Sequence, residues 1–143
     1  MGDKFQTSLA AELESLAKFR QFIKSICQRF SQISAEHCYD LQLAVDEACT
    51  NVIQHGYAGM NPGSIILVLE VDASQMNVTL TDFGHPFEPS EPAKPDVQAG
   101  LEAQLQGGFG LYFIYQTMDR VDYETTEAGN RLKFVKNLSS VNE

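Results

Sequence analysis

The hydrophobic residues of the first half of the chain recur with the period of an α-helix. They do so from about Ala11 to Phe30 and again from about Ala35 to His55, which predicts two amphipathic helices. Ser34 is the expected N-cap of the second helix, and Gly56 is expected to end it. Residues 4–9 are expected to form a short strand before the first helix.

The later residues carry the patterns of strands. Ile65 to Val71 is apolar except for Glu70, and such a nearly continuous run is typical of a strand buried on both faces. Met76 to Asp82 alternates between apolar and polar residues, and the short polar link between these two runs predicts a hairpin. Val121 to Thr126 and Arg131 to Lys136 alternate around Gly129, which predicts a second hairpin. We therefore expect an α+β fold, a two-layer sandwich with a mostly antiparallel sheet covered on one face by about three helices.

The hydrophobic residues of 83–107 recur with neither the period of a helix nor that of a strand. Prolines recur at every third position from Pro86 to Pro95 among acidic residues. A loop of about 20 residues without regular structure is usually a lid, a binding loop or a disordered segment. We expect a lid rather than a linker between two domains, because the residues that follow are too few for a second domain. We expect a single domain of residues 1–143 with a lid at about 83–107, followed by a short helix from Leu111 to Met118.

The composition is that of a globular domain, with 43% hydrophobic and 20% charged residues among 143. The longest apolar run, Ile65 to Leu69, is too short to span a bilayer, and the N-terminal residues lack the layout of a signal peptide. Three cysteines, Cys27, Cys38 and Cys49, show no zinc-type spacing. The two cysteines of the second predicted helix are expected to be small core residues in a reducing compartment, so the cytoplasm is the expected location.

The net charge of −9 argues against nucleic acid or an anionic membrane as a partner. An acidic protein that binds a triphosphate must hold the phosphates with backbone N–H groups, a helix N-terminus and a divalent cation. Four of the ten basic residues lie on the first predicted helix: Lys18, Arg20, Lys24 and Arg29. They form either a solvated face or a face that docks a partner.

Glu47 and Asn51 lie four residues apart on the second predicted helix, so they are about 40° apart around its axis and face the same way. A single carboxylate on a half-buried helix is more often a salt-bridge partner than a base. Asn51 changes that interpretation, because a neutral amide oxygen can complete a Mg²⁺ shell that also takes oxygens from substrate phosphates. The pair places a candidate proton acceptor beside a candidate metal ligand.

Asp82 ends the alternating strand and is followed by Gly84 and Pro86. It is either a turn-forming aspartate or a carboxylate that accepts a hydrogen bond from an adenine amino group, with Gly84 allowing the backbone close to the ring. The Asp-Phe-Gly sequence is not that of a eukaryotic-type protein kinase, because the other motifs of that fold are absent. Three glycines precede the last predicted helix and offer N–H groups to phosphate: Gly107, Gly108 and Gly110.

Taken together, three segments resemble the three boxes of the ATP-binding domain shared by histidine kinases, gyrase, mismatch-repair ATPases and heat-shock chaperones, the GHKL superfamily. They are Leu43 to Asn51 followed by His55-Gly56-Tyr57, then Asp82 to Phe87, then Gly107 to Leu111. Within this superfamily the chain most resembles the small bacterial anti-sigma-factor serine/threonine kinases. The resemblance runs over nearly the whole chain.

The resemblance implies that Glu47 is the general base that activates a hydroxyl, that Asn51 binds Mg²⁺ and that Asp82 selects adenine. It also implies that residues of the second and third boxes shape the nucleotide pocket: Gly84, Pro86, Gly107, Gly108, Gly110 and Leu111. The implied cofactors are ATP and Mg²⁺. Asp46 lies beside Glu47, so the alternative in which the two carboxylates exchange their roles stays open.

The implied substrate is a serine or threonine on a small anti-sigma-factor antagonist, and the implied second partner is a sigma factor. Family members are commonly homodimers. We therefore expect a serine/threonine kinase that acts as an anti-sigma factor or a similar partner-switching regulator. The alternative is a nucleotide-dependent binding module that sequesters a partner without phosphoryl transfer. A detached histidine-kinase catalytic domain would need a phospho-accepting helical hairpin, whereas residues 1–40 contain one long predicted helix.

Overall fold

The structure, a computed structural model, describes residues 2–86 and 114–138. Its elements in chain order are β1 (Asp3–Ala10), α1 (Ser15–Cys27), α2 (Ala35–Asn51), a π-helical turn (Val52–Gly56), β2 (Ser64–Val71), β3 (Gln75–Asp82), β4 (Arg120–Thr126) and β5 (Gly129–Asn137). Residues 114–117 are also helical. In this described part of the chain, none of the helices has both the length and the apolar character needed to cross a membrane.

The five strands form one antiparallel sheet in the order β1-β2-β3-β5-β4. The β2–β3 hairpin is closed by Asp72, whose Oδ1 accepts hydrogen bonds of 2.9 Å from the backbone N–H groups of Ser74 and Gln75. The β4–β5 hairpin turns at Gly129, which has a φ of 129°. Both predicted hairpins are confirmed. The register of β3 against β5 places Asp82 opposite Asn130.

One face of the sheet carries the helices. The central strands contribute to that face the buried side chains of Ile65, Leu67, Leu69, Met76, Val78, Leu80, Leu132 and Phe134. The helices α1 and α2 contribute Phe19, Ile23, Ile26, Leu41, Val45 and Ala48 to the same core. Apolar burial of this kind, at roughly 25 cal/mol per Å², is the main favourable term in folding. The expected α+β sandwich of helices on an antiparallel sheet is confirmed.

Burial alternates along β2, so Ile66 and Val68 lie on the opposite face and remain partly exposed. The expectation of a strand buried on both faces was therefore wrong. A short apolar run does not reveal whether a second layer covers the sheet, because periodicity is lost when both faces are apolar. In the described ranges, the helices cover only the face that carries Ile65, Leu67 and Leu69.

The helix boundaries differ from the periodic pattern at the first helix. α1 begins at Ser15, and Leu13, which precedes it, is 58% exposed. The N–H of Ala11 donates a 2.8 Å hydrogen bond to the carbonyl of Gly63, so the chain stays beside the start of β2 before it turns into the helix. Ser34 caps α2 as predicted, within a reciprocal capping box with His37.

The second predicted helix is divided in two. Its α-helical part ends at Asn51, and residues Val52–Gly56 form one π-helical turn. Gly56 is the last residue of this turn, so the helical segment ends where the sequence predicted, and its φ is not positive. π-helical turns are rare and occur frequently at functional sites.

Candidate functional site

α2 carries two adjacent carboxylates that the structure distinguishes. Asp46 binds Arg20 of α1 through both oxygens, at 2.8 and 3.0 Å from Nη1. Glu47 is half-buried and makes no hydrogen bond or ion pair with other described residues. Burial raises the pKa of Glu47, and the negative charge of Asp46 raises it further. A raised pKa makes a carboxylate a better proton acceptor near neutral pH.

Asn51 ends the α-helical part of α2 and is 7% exposed. Its Nδ2 has no hydrogen-bond partner among the described residues. An unpaired buried polar group costs about 1–3 kcal/mol, so such a group is usually explained by a ligand or water. A carboxamide offers an oxygen to a cation and an N–H to a phosphate, and Asn51 therefore fits the predicted ligand of Mg²⁺.

The described residues contain no cluster of three or more His, Cys, Asp or Glu side chains that could hold a metal ion by itself. Mg²⁺ commonly keeps several waters and takes ligands from substrate phosphates. Asn51 would thus hold Mg²⁺ together with a nucleotide rather than in a cage of protein carboxylates.

Asp82, at the end of β3, is 4% exposed and firmly oriented. Its Oδ1 accepts hydrogen bonds from the backbone N–H of Gly84 at 2.9 Å and from Nδ2 of Asn130 at 3.0 Å. The hydrogen bond from Gly84 is the one expected of a turn-forming aspartate. A carboxylate has about four lone-pair sites, so these two donors leave capacity for an amino group of a ligand.

Asn130 is a residue of this site that the sequence reasoning missed, since it had been assigned only to the second hairpin. It is buried, and its Nδ2 also donates to the carbonyl oxygen of Gly84 at 2.9 Å. The side-chain Oδ1 of Asn130 accepts a hydrogen bond from the hydroxyl of Thr125. The signal would have been the register of β3 against β5, which the sequence does not show.

Gly84 meets the π-helical turn through main-chain atoms. A Cβ on Gly84 would overlap the carbonyl oxygen of Gly56, and the N–H of His85 donates to that same oxygen. A Cβ on Gly56 would lie 3.7 Å from Oδ1 of Asp82. The end of the first predicted box and the second predicted box are therefore in contact.

Tyr57 links the segment after Asp82 to the start of β2 through hydrogen bonds. Its hydroxyl donates to the carbonyl of Ser64 at the start of β2 and accepts from the N–H of Phe83, both at 2.9 Å. Burial is the main reason that the pKa of Tyr57 is raised, so the hydroxyl keeps the proton that it donates. The tyrosine belongs to the first predicted box but had no assigned role.

The third predicted box is not described by the structure. Gly107, Gly108, Gly110 and Leu111 lie outside the described residues, as does most of the predicted lid at 83–107. Pro86 is exposed and is the last described residue before residue 114. The pocket roles of these five residues stay predictions.

Comparison with known proteins identifies the family to which this chain belongs. Residues 9–136 match the family model of the histidine kinase-like ATPase domain. The chain belongs to this family. The expected family resemblance is thereby confirmed, and the family model spans both segments that meet at Gly56 and Gly84.

Relatives with assigned names include the serine-protein kinase RsbW of Listeria innocua, which is 31% identical over 126 residues, 85% of this chain and 79% of the relative. The serine-protein kinase RsbW of Bacillus pumilus is 29% identical over 128 residues, 85% of this chain and 78% of the relative. Among solved structures, the histidine kinase domain of the Erythrobacter litoralis EL346 blue-light activated histidine kinase matches with a TM-score of 0.56 and 18% identity. It covers 87% of this chain, which spans 60% of that chain, and it shows a shared fold.

Proposed function

We propose that this protein is an ATP-binding serine/threonine protein kinase that acts as an anti-sigma factor or a similar partner-switching regulator. One observation carries the proposal. α2 places Glu47, a carboxylate with a raised pKa, one turn before Asn51, a buried amide without a described partner, and the end of this helix contacts the segment after Asp82. The names of its relatives, serine-protein kinases, support the same class of activity.

In this proposal Asp82 accepts a hydrogen bond from the adenine amino group, and Asn130 and the N–H of Gly84 hold its carboxylate in place. Asn51 would hold the Mg²⁺ that accompanies the triphosphate, and the ion would supply neutralisation of charge on the phosphates. Positioning and charge stabilisation, rather than covalent chemistry by the protein, supply most of the catalysis in phosphoryl transfer.

Glu47 is the proposed proton acceptor for the substrate hydroxyl. As the serine or threonine oxygen forms its bond to the γ-phosphorus, Glu47 takes the hydroxyl proton, and the bond from phosphorus to the bridging oxygen of ADP breaks. The ion pair of Asp46 with Arg20 favours Glu47 over Asp46 for this role, because both Asp46 oxygens are already engaged.

The proposed substrate is a small antagonist protein, and the proposed second partner is a sigma factor. We also propose a homodimer in the cytoplasm. The charge of −9 suits a partner with a basic contact surface and disfavours nucleic acid.

A comparison of Glu47→Gln with Asp46→Asn tests this function. MgATP binding is measured by calorimetry, and phosphoserine or phosphothreonine is measured by mass spectrometry on antagonist-like proteins encoded beside the gene. Glu47→Gln should bind MgATP normally and lose phosphoryl transfer by about 10²–10⁴-fold, the usual contribution of a general base. Asp46→Asn, which changes the neighbouring carboxylate in the same way, should retain transfer.

Two results would redirect the proposal. Full transfer by Glu47→Gln would show that another group accepts the proton. Tight capture of a partner by the MgATP-bound wild type, without any phosphorylated product, would identify a nucleotide-dependent binding module instead.

A further inference from the structure

A cavity of about 510 Å³ lies at the junction of α1 and α2. Its walls come from the end of α1, the connection between the helices and the first two turns of α2. None of the described residues that line it belongs to the candidate nucleotide site, so the proposed kinase function gives the cavity no role. Binding sites for small molecules have volumes of about 300–1,000 Å³, so the cavity is large enough to hold one.

The walls of this cavity are largely apolar. Phe30 and Ile33 contribute side chains that also pack on the core, and Cys27 and Cys38 contribute buried free thiols. A buried thiol behaves as a small apolar group with a polarizable sulfur. Such walls favour a ligand with an apolar body.

Tyr39 lies on the α2 side of the cavity and is 64% exposed. An aromatic ring left this open gains little from the core of the protein, whereas a flat ligand beside it would cover its face. Offset or edge-on contacts between aromatic rings contribute more than the area that they bury. Tyr39 and Phe30 therefore favour an aromatic ligand over an aliphatic one.

Lys24 is the charged side chain among the described residues that line the cavity. It forms no ion pair with any other described residue. Two other cations of this region are already engaged. Arg20 binds Asp46, and the guanidinium of Arg29 lies 5.4 Å from the centroid of the Phe5 ring. The cavity thus presents one unpaired positive charge, whose complement is an anionic group.

Ser34 and Gln42, two polar residues of the lining, have partners within the protein. Oγ of Ser34 accepts a 3.0 Å hydrogen bond from the N–H of His37, and Nε2 of Gln42 donates a 3.2 Å hydrogen bond to Sγ of Cys38. Polar recognition of a ligand therefore depends mainly on Lys24. An apolar body, an aromatic face and one anionic group together describe an aromatic carboxylate.

We propose that this cavity binds a small aromatic carboxylate, whose carboxylate pairs with Nζ of Lys24 and whose ring packs between Tyr39 and the wall that contains Phe30 and Ile33. The inference stands apart from the proposed kinase function. The ligand would contact both α1 and α2, so binding should raise the thermal stability of the chain by mass action.

The test uses 2-naphthoate as the probe and 2-naphthamide as its neutral counterpart of nearly the same shape. Titration of the wild-type protein, followed by the fluorescence of the probe, should show saturable binding of one 2-naphthoate. Amide NMR spectra should show their largest shifts at Ile33, Ala35 and Tyr39, and saturating MgATP should not displace the probe. The amide should bind about five-fold more weakly, which is the upper range for loss of an exposed ion pair.

Two pairs of variants test the charge and the space separately. Lys24→Met should lower the affinity for 2-naphthoate to that for 2-naphthamide, whereas Lys18→Met, at an exposed position of α1 outside the lining, should not. Ala35→Trp should fill the cavity and abolish binding of both probes. Ala17→Trp, at an exposed position of α1 that does not line the cavity, should retain it.

Four results with the wild-type protein would overturn the proposal: no saturable binding of 2-naphthoate, equal affinities for the acid and the amide, shifts that map outside the cavity, or displacement by MgATP. Tighter binding of octanoate than of 2-naphthoate would contradict the aromatic class of the ligand. The wild-type spectra locate the site even if a tryptophan variant folds poorly. Kinase activity is not part of the readout, so failure of this site and failure of the proposed function are distinguishable.

Discussion

The side-chain amide of Asn130 donates a 3.0 Å hydrogen bond to Oδ1 of Asp82, a residue 48 positions earlier in the chain. The two residues also face each other in the β3–β5 ladder. The carboxylate proposed to recognise adenine is therefore oriented by a strand that follows the predicted lid. Nucleotide recognition in this protein should depend on β5 as much as on β3.

Asn130→Ala should weaken ATP binding. Hydrogen bonds to charged groups contribute about 1.5–3 kcal/mol, which corresponds to roughly a 10- to 100-fold increase in the Kd of ATP. Calorimetric titration with MgATP measures the change. Asn77→Ala is the matched control, because Asn77 lies on the helix-free face of β3 and should leave the Kd unchanged. An unchanged affinity in a stable Asn130→Ala protein would contradict the role.

Gly84→Ala should destabilise the protein and abolish nucleotide binding. The added methyl group would overlap the carbonyl oxygen of Gly56, and backbone atoms on both sides cannot move aside cheaply. We expect a loss of about 1–3 kcal/mol in the free energy of unfolding, as for other overpacked sites. Urea denaturation and ATP titration provide the measurements.

Gly56→Ala tests whether the effect of Gly84→Ala is steric or whether the region tolerates no substitution of glycine by alanine. The nearest atom to a Cβ on Gly56 is Cγ1 of Val52 at 3.5 Å, an ordinary contact distance, so this variant should fold normally. Equal destabilisation by the two substitutions would argue against the Gly56–Gly84 contact.

Glu47→Gln should stabilise the protein at neutral pH. The folded protein raises the pKa of Glu47 above its ordinary value of 4.5, so the unfolded chain releases the proton more readily. The cost to stability is absent below about pH 4.5 and grows as the pH rises through the folded pKa. The advantage of Glu47→Gln in urea denaturation should therefore appear as the pH rises above the ordinary pKa of 4.5. Glu70→Gln, which changes an exposed glutamate on β2, should show a smaller pH-dependent difference.

Lys136 on β5 should stabilise the packing of its strand against α2 and against the helical residues 114–117. Its Nζ lies 3.0 Å from Oδ2 of Asp40 on α2 and donates a 2.7 Å hydrogen bond to the carbonyl of Thr117. Lys136→Met should lower the free energy of unfolding by about 1–3 kcal/mol, because Asp40 is left largely buried without its cation. Lys133→Met, an exposed position on the same strand, should change it by less than about 0.5 kcal/mol.

The sequence was sufficient for the fold because its signals are local. Strand and helix periods, the Ser34 cap and the Gly129 turn each depend on residues within a few positions of one another. The start of α1 was missed because a long-range hydrogen bond from Ala11 to Gly63 decides it. The π-helical turn was missed because its hydrophobic pattern is compatible with a continuing α-helix.

The site was only partly predictable. Spacing on one helix is enough to propose Glu47 and Asn51 together, and a strand end followed by glycine is enough to propose Asp82. To predict Asn130 as part of the site, one must know the register of β3 against β5. These two strands are neighbours in the sheet but are not consecutive in the chain.

The contact between Gly56 and Gly84 has a consequence for how this protein can change over evolution. Because main-chain atoms make the contact, the surrounding side chains can vary as long as Gly84 remains a glycine. The number of residues in Val52–Gly56 is far more constrained, because a deletion there would turn the carbonyl of Gly56 away from Gly84. Related chains should therefore diverge by substitution in this turn and rarely by insertion or deletion.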